Sequence, residues 1–242
     1  MLHWIVCPTR EAQAKACAAV LAAQVLQKPD SVLGLATGST PLAIYREMIA
    51  LQNEGVVNFS NVRTFNLDEY IGLSHDHPQS YRSFMETNLF VELGLRSEQT
   101  HVPDGMAEDL SAECAAYEQA IEQAGGIDLQ LLGIGHDGHI AFNEPAEAFT
   151  RTVFVATLTA ATISANQRFF ARPEDVPRTA LSMGVGSIMR ANRILLSAFG
   201  RDKAEIVRDA FTGPVTPQIS ASILQFHPDC TIVLDEEAAS AL

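Results

Sequence analysis

The segment LLGIGHDGHIAFNEP, residues 131–145, holds three side chains that can move protons: Asp137, His139 and Glu144. A carboxylate beside an imidazole orients the ring, and histidine exchanges protons near neutral pH. Because all three lie in one glycine-rich loop, their spacing favours a carboxylate–histidine relay that acts on a reacting oxygen. The alternative is a structural loop whose acidic side chains cap backbone N–H groups.

Two cofactor interpretations of the same loop are weaker. Gly133, Gly135 and Gly138 match the GxGxxG dinucleotide pattern, but no acidic residue ends a following strand about 20 residues later. Asp137 and His139 also occupy the place where the required helix should begin. A metal site built on His136 and His139 is also a weak interpretation, because an HxxH pair with nearby acids occurs often by chance. We therefore expect no metal and no organic cofactor.

A pair of adjacent carboxylates, Asp68 and Glu69, follows the predicted strand Val62–Asn66. Side chains alternate along an extended chain, so the two should point to different sides and only one should enter a site. A carboxylate at the end of a strand can act as a general base. A solvated acidic turn remains the alternative.

A third turn combines hydroxyls with glycine at the predicted start of a helix, in Thr37-Gly38-Ser39-Thr40. Pro41 suits the first helical position, and Thr40 is a favourable N-cap. Hydroxyl groups and free backbone N–H groups at a helix N-terminus bind anions. The turn lacks the GK[ST] ending of a P-loop. An ordinary capped turn is the alternative.

Two basic residues could complete an anion site in this acidic chain. Lys203 is predicted to start a helix, where the helix dipole disfavours a cation that lacks a partner. Arg168 lies in the least regular part of the sequence. Since most lysines and arginines are exposed, a solvated surface position is the alternative for both.

The elements that must position these groups alternate between short apolar strands and amphipathic helices. This alternation predicts a doubly wound α/β fold, with a mainly parallel sheet and helices on both faces in a Rossmann-like three-layer sandwich. We expect one domain, residues 1–242, with a lid around 153–180. The predicted strands are Leu2–Val6, Val32–Ala36, Val62–Asn66, Leu129–Gly133, Thr152–Ala156, Arg193–Ala198 and Thr231–Leu234. The predicted helices are Thr9–Leu26, Pro41–Asn53, Tyr81–Phe90, Ser111–Ala124, Ala160–Phe170 and Lys203–Phe211.

Composition narrows the possible partners. The net charge of −13 disfavours nucleic acid and anionic membranes as partners, although it allows a locally built phosphate site. No apolar run approaches the length of a membrane span, and the first residues lack the pattern of a signal peptide. Four cysteines without paired spacing indicate reduced thiols. We expect a cytoplasmic protein.

Six stretches together resemble the glucosamine-6-phosphate deaminase family over nearly the whole chain: LGLATGSTP, TFNLDEY, LLGIGHDGHIAFNEP, SANQRFF, GRDKA and SASILQFHP. The resemblance implies an enzyme that converts glucosamine 6-phosphate and water to fructose 6-phosphate and ammonia, without a cofactor. It makes Asp68 the enolisation base. The implied ring-opening group is Asp137, His139 and Glu144, and the implied phosphate contacts are Thr37, Gly38, Ser39, Thr40, Arg168 and Lys203.

Two other functions remain possible from the sequence. 6-Phosphogluconolactonases share the Gly-Asp-Gly-His core, but they typically continue into Ser-Leu-Phe-Pro where this chain has Phe142-Asn-Glu-Pro145. Glu144 in this tail favours the deaminase. A non-catalytic sugar-phosphate sensor domain is disfavoured by the acidic charge, and because the chain begins with a predicted strand rather than a helix-turn-helix.

The resemblance also bears on regulation. Long members of the family have an allosteric site for N-acetylglucosamine 6-phosphate, with an Arg-Ile-Lys run where this chain has Phe154-Val155-Ala156. The basic pair is absent here, and so is the long members' C-terminal extension. We therefore expect a monomer or a small homo-oligomer rather than an allosteric hexamer.

Overall fold

The computed structural model describes all 242 residues and contains a seven-stranded, wholly parallel sheet. Its strands in chain order are β1 (Leu2–Cys7), β2 (Val32–Leu35), β3 (Arg63–Asn66), β5 (Thr100–His101), β6 (Leu129–Leu132), β9 (Arg193–Ala198) and β10 (Cys230–Asp235). A second, antiparallel sheet of three strands contains β4 (Asp68–Tyr70), β7 (Phe154–Thr157) and β8 (Thr179–Ser182).

Helices cover both faces of the large sheet, as predicted. They are α1 (Arg10–Gln27), α2 (Pro41–Asn53), α3 (Tyr81–Met85), α4 (Leu110–Gln123), α5 (Ala160–Asn166), α6 (Val185–Met189) and α7 (Ala204–Thr212). The predicted helix Tyr81–Phe90 is instead α3 followed by a π-helical turn, Glu86–Phe90. None of the helices has both the length and the apolar composition that a membrane span requires.

The alternation of strand side chains explains the three layers. In β2, Leu33 and Leu35 pack into a core of 23 buried residues together with α1 and α2. Val32, on the other face, belongs to a core of 26 buried residues that includes α4 and α7. Strands buried on both faces read as continuous apolar runs, and this is why β2 and β6 are recognisable from the sequence.

The strand order fixes where a ligand can bind. The order across the sheet is β1-β10-β9-β6-β2-β3-β5, so the chain moves outward from β2 through β3 to β5 and then returns to β6, beside β2. The connections after β2 and β6 therefore diverge and leave a crevice at the carboxyl ends of these strands. The Thr37–Thr40 turn follows β2, and the loop with Asp137 and His139 follows β6.

The small sheet covers the crevice at the carboxyl ends of the large sheet's strands. After β3 the chain leaves the large sheet and forms β4, which pairs with β8 so that Asp68 lies opposite Ser182. Strand β7 pairs with the other edge of β8, and α5 extends from β7 over the crevice. Residues 153–180 thus contain β7, α5 and the first residues of β8.

Candidate active site

The crevice holds a cavity of about 470 Å³. Its walls come from the segments after β2, β3, β6 and β9, and from α5 with the 3₁₀ turn that follows it. Eight of the ten sequence-predicted site residues line it: Thr37, Gly38, Ser39, Asp68, Asp137, His139, Arg168 and Lys203. Glu144 lies behind His139, and Thr40 lies outside the lining.

The relay is assembled around one nitrogen of His139. Its Nδ1 lies 2.6 Å from Oδ1 of Asp137 and 3.6 Å from Oε2 of Glu144. Asp137 also accepts the backbone N–H of His139 at 3.2 Å. Since two carboxylates face Nδ1, this nitrogen carries the proton and Nε2 is left to exchange protons with a ligand.

Asp137 is held in its ionised form. Its partial burial acts to raise the pKa, but the hydrogen bond and the positive charge of His139 outweigh this and lower the pKa of Asp137 to about 2. A carboxylate that stays charged across the neutral range stabilises the imidazolium that forms when His139 takes a proton.

The segment around α5 holds Glu144. Thr162 donates its hydroxyl to Oε1 of Glu144 at 2.5 Å, and Thr159 donates its own hydroxyl to Oε2 at 3.3 Å. Thr159 is also the N-cap of α5 and accepts the backbone N–H of Thr162. The relay carboxylate and the start of α5 are therefore parts of one hydrogen-bonded unit.

Two glycines of the loop are required for packing around His139. A Cβ at Gly135 would lie 2.4 Å from Nδ1 of His139, so only glycine lets the ring rest against the backbone. Gly138 has a φ of 84°, and a Cβ there would meet Ile219 at 2.5 Å. No helix starts in this loop, whereas a dinucleotide-binding turn leads directly into one.

Asp68 and Glu69 diverge as predicted. Glu69 turns away from the cavity and accepts the backbone N–H groups of Tyr70, Tyr81 and Arg82 at 2.8–2.9 Å. Asp68 faces the cavity. Burial, with a smaller effect from the neighbouring Glu69 carboxylate, raises the pKa of Asp68 to about 8. A buried carboxyl with a raised pKa is suited to taking up a proton during a reaction.

The turn after β2 presents Thr37, Gly38 and Ser39 to the cavity. Gly38 has a φ of 95°, in the left-handed region that favours glycine. Thr40 occupies the N-cap position of α2, as predicted, but it does not cap the helix: its backbone is already helical, at φ −67° and ψ −51°, and its side chain makes no capping hydrogen bond. The first backbone N–H groups of α2 are therefore left without a side-chain cap.

The two predicted basic residues both reach the cavity. Arg168 lies on the turn after α5, with its guanidinium carbon 4.7 Å from the ring centroid of Phe169. Lys203 donates to the carbonyl of Ile134 at 2.9 Å. It ends a 3₁₀ turn, and α7 begins one residue later than predicted, at Ala204. Burial lowers the pKa of Lys203, against the charges of Asp202 and Asp137.

Comparison with known proteins identifies the family. Residues 9–232 match the family model of glucosamine-6-phosphate isomerases/6-phosphogluconolactonase. The chain belongs to this family. It is similar to a glucosamine-6-phosphate deaminase of Thermoanaerobacter pseudethanolicus, with 53% identity over 96% of this chain and 92% of the relative. It is also similar to one of Clostridium perfringens, with 48% identity over 100% of both chains.

A solved member of the family has nearly the same fold. The structure of a monomeric glucosamine-6-phosphate deaminase superimposes with a TM-score of 0.96 at 43% identity, covering 99% of this chain and 100% of that one. The resemblance and the doubly wound fold inferred from the sequence are therefore confirmed.

The positions of Asp137, His139 and Glu144 also bear on metal binding. One ligand atom each from Asp137, His139 and Glu144 lies within 4.8 Å of the other two, close enough to surround a cation. However, both carboxylates face the same imidazole nitrogen, and Glu144 takes further hydrogen bonds from Thr159 and Thr162. This pattern of donors and acceptors fits proton transfer.

Sequence reasoning assigned no role in the site to four residues: Tyr81, His136 and the two threonines that hold Glu144, Thr159 and Thr162. Tyr81 lines the cavity, and Thr162 holds Glu144. His136 forms an exposed pair with Asp202 across the mouth, at 2.8 Å. Only Thr159 had a visible signal, because a threonine just before a helical pattern is a typical N-cap.

Proposed function

We propose that this chain is a glucosamine-6-phosphate deaminase, which converts glucosamine 6-phosphate and water to fructose 6-phosphate and ammonia. Relatives with this name are 48–53% identical over nearly its whole length. The observation that carries the proposal is one cavity that brings together a buried carboxyl, a carboxylate–histidine relay and a glycine-hydroxyl turn with two basic side chains.

Ring opening is assigned to the relay. Nε2 of His139 takes the proton of the C1 hydroxyl and returns a proton to the ring oxygen, so that the C1 aldehyde forms as the ring bond breaks. Asp137 stays ionised throughout and stabilises the imidazolium. Glu144 lies 3.6 Å from the same Nδ1 and adds a second carboxylate beside it.

Isomerisation is assigned to Asp68. In its ionised form it takes the C2 proton of the open-chain sugar to give an enolamine, and it returns a proton to C1. Water then adds to the resulting C2 iminium, and ammonia leaves. The burial that raises the pKa of Asp68 also makes the carboxylate a stronger base once it is ionised.

The phosphate group is assigned to the turn Thr37–Thr40, with Lys203 and Arg168 as counter-charges. Binding at this remote group positions C1 and C2 against the two proton-transfer groups. Thr40 contributes through its backbone at the start of α2, since its side chain lies outside the cavity lining. Residues 1–242 act as one domain, with residues around 153–180 as the lid.

The cellular setting follows from the same substrate. We infer a cytoplasmic protein, because sugar phosphates do not cross membranes without a carrier. A monomer is supported by the monomeric state named for the structural relative. The net charge of −13 disfavours a nucleic-acid partner.

A coupled assay tests the proposal. Purified protein is incubated with glucosamine 6-phosphate, and fructose 6-phosphate and ammonia are measured separately; the two should form in equal amounts. The same preparation is assayed with 6-phosphogluconolactone, the substrate of the other activity in the family name. Turnover of the lactone, with no ammonia released from glucosamine 6-phosphate, would reject the deaminase.

A further inference from the structure

Arg10 is a cation to which the predicted motifs assign no role. It is exposed and is the first residue of α1, where the helix dipole disfavours positive charge. Acidic residues outnumber basic ones by 29 to 16, yet the only polar contact of its guanidinium is a backbone carbonyl. Its position therefore suggests an anion supplied from outside the protein.

The guanidinium of Arg10 lies against two residues of the cavity wall. Its central carbon is 3.8 Å from the ring centroid of Phe199, and Nη2 donates to the carbonyl of Ser39 at 3.4 Å. Both Phe199 and Ser39 line the cavity. Arg10 thus links the segments after β9 and β2, two strands that are not neighbours in the sheet.

This geometry leaves Arg10 able to bind a phosphate. Stacking on Phe199 uses the face of the guanidinium and fixes its plane. One of its five N–H groups is used by Ser39, so in-plane donors remain for phosphate oxygens. Lys203, one of the two cations already in the cavity wall, lies near the negative charges of Asp202 and Asp137. A phosphate dianion therefore gains from another cation.

We propose that Arg10 is a further substrate-binding residue, which clamps the Thr37–Thr40 turn against Phe199 and donates to the substrate phosphate. The proposal rests on the proposed function for the identity of the sugar phosphate. Neither the GxGxxG-like loop nor the Thr-Gly-Ser-Thr turn points to this residue, because α1 begins far from both in sequence.

Kinetics on three variants test the proposal. Arg10→Ala should raise the KM for glucosamine 6-phosphate about tenfold, the usual effect of losing a charge-assisted hydrogen bond, with kcat changed less than about twofold. Arg10→Lys keeps the charge without the planar stack and should fall between Arg10→Ala and the unmodified protein. Arg46→Ala removes an exposed arginine from the middle of α2 and should leave KM unchanged.

Inorganic phosphate gives a readout that does not need turnover. Phosphate that binds the folded protein raises its Tm, and Arg10→Ala should reduce this shift while Arg46→Ala should not. If the unmodified protein fails to deaminate glucosamine 6-phosphate, the proposed function is wrong and the phosphate shift alone decides the role of Arg10. If Arg10→Ala matches Arg46→Ala in both KM and phosphate shift, Arg10 is only a surface residue.

Discussion

Two carboxyl groups on one cavity, Asp68 and Asp137, are driven to opposite ionisation behaviour by their surroundings. Asp68 is buried beside another carboxylate, and its pKa rises to about 8. Asp137 is partly buried, but the hydrogen bond and charge of His139 bring its pKa down to about 2. One group can therefore gain and lose a proton near neutral pH, whereas the other keeps its charge. This difference supports their separate roles.

Replacing Asp68 should lower the activity and raise the stability of the protein. Asp68→Asn removes proton transfer at C2, so kcat should fall about 10²–10⁴-fold. Asparagine also mimics the protonated carboxyl. Because the folded-state pKa lies above the ordinary value of about 3.9, ionisation of Asp68 destabilises the native state as pH rises from about 4 to 8.

At pH 8 the Tm of Asp68→Asn should therefore be higher than that of the unmodified protein. The increase should be about 2–4 °C for each kcal/mol that burial of the charged carboxylate costs the unmodified protein. The difference should disappear below about pH 4. Thermal unfolding across this range measures the stability effect. An unchanged kcat would exclude Asp68 as the base.

The same raised pKa predicts the pH dependence of the reaction. The working form of Asp68 is ionised, so kcat/KM should decline as pH falls below about 8. Glu69→Gln removes the neighbouring charge and should move this decline to lower pH. The midpoint should still stay above that of an ordinary aspartate, because burial is the larger cause. A profile that does not respond to Glu69→Gln would show that another group titrates.

The relay predicts a change of rate-limiting step. His139→Gln keeps a hydrogen-bonding side chain but cannot transfer protons, so ring opening should become limiting and kcat should fall about 10²–10⁴-fold. Substituting deuterium for hydrogen at C2 should then leave the rate unchanged. Open-chain substrate should partly restore turnover. A large C2 isotope effect in this variant would place His139 in the isomerisation step instead.

At the scale of elements, the sequence predicts the large sheet better than the small sheet that covers the cavity. Strands such as β2 and β9 are buried on both faces, so their apolar runs are continuous and their ends fall within a residue of prediction. The residues that follow them carry hydroxyls, glycines and charges, and the parallel order places those residues at one edge. The turns at the cavity could therefore be named from the sequence, whereas the roles of Asp68, Arg168 and Lys203 came from the family resemblance.

Strand β7 of the small sheet was predicted, as Thr152–Ala156, but β4 and β8 were not, because their signals are not local. Strand β4 has only three residues, and two of them are the acidic Asp68 and Glu69. Strand β8 follows an irregular stretch and gains its order by pairing with β4 and β7. Thr40 shows the reverse problem: its residue type suits an N-cap, but the tight turn with Gly38 at positive φ brings it into the helical region.

The contact between α5 and the relay gives a prediction about the proposed lid. Thr162→Val keeps the shape of the side chain but removes the donor to Glu144. The carboxylate, whose side chain is only 10% exposed, loses a hydrogen bond, and kcat should fall about tenfold. Thr162→Ser keeps the hydroxyl and should retain most activity. Equal kcat for the valine and serine variants would show that Glu144 does not depend on this contact.

At the scale of the whole molecule, all the proposed chemistry lies within one chain. The residues of the cavity wall come from segments on both sides of the β2–β6 switch point and from the small sheet with α5. No second copy is needed to complete the site. A relative with a TM-score of 0.96 is described as monomeric. One chain therefore supplies the proposed base, relay and phosphate site.

The kinetics should reflect the location of the whole proposed site within one chain. Homotropic cooperativity at equilibrium requires linked sites, so the proposed monomer, with one active-site cavity, should show a hyperbolic dependence of rate on glucosamine 6-phosphate. N-acetylglucosamine 6-phosphate should not change that curve, because strand β7 carries Phe154, Val155 and Ala156 where an anion would need basic side chains. Initial rates with and without this ligand, together with sedimentation velocity at the assay concentration, measure both points. A sigmoidal curve that the ligand makes hyperbolic, accompanied by an oligomer in sedimentation, would show an effector site built from residues other than those of β7.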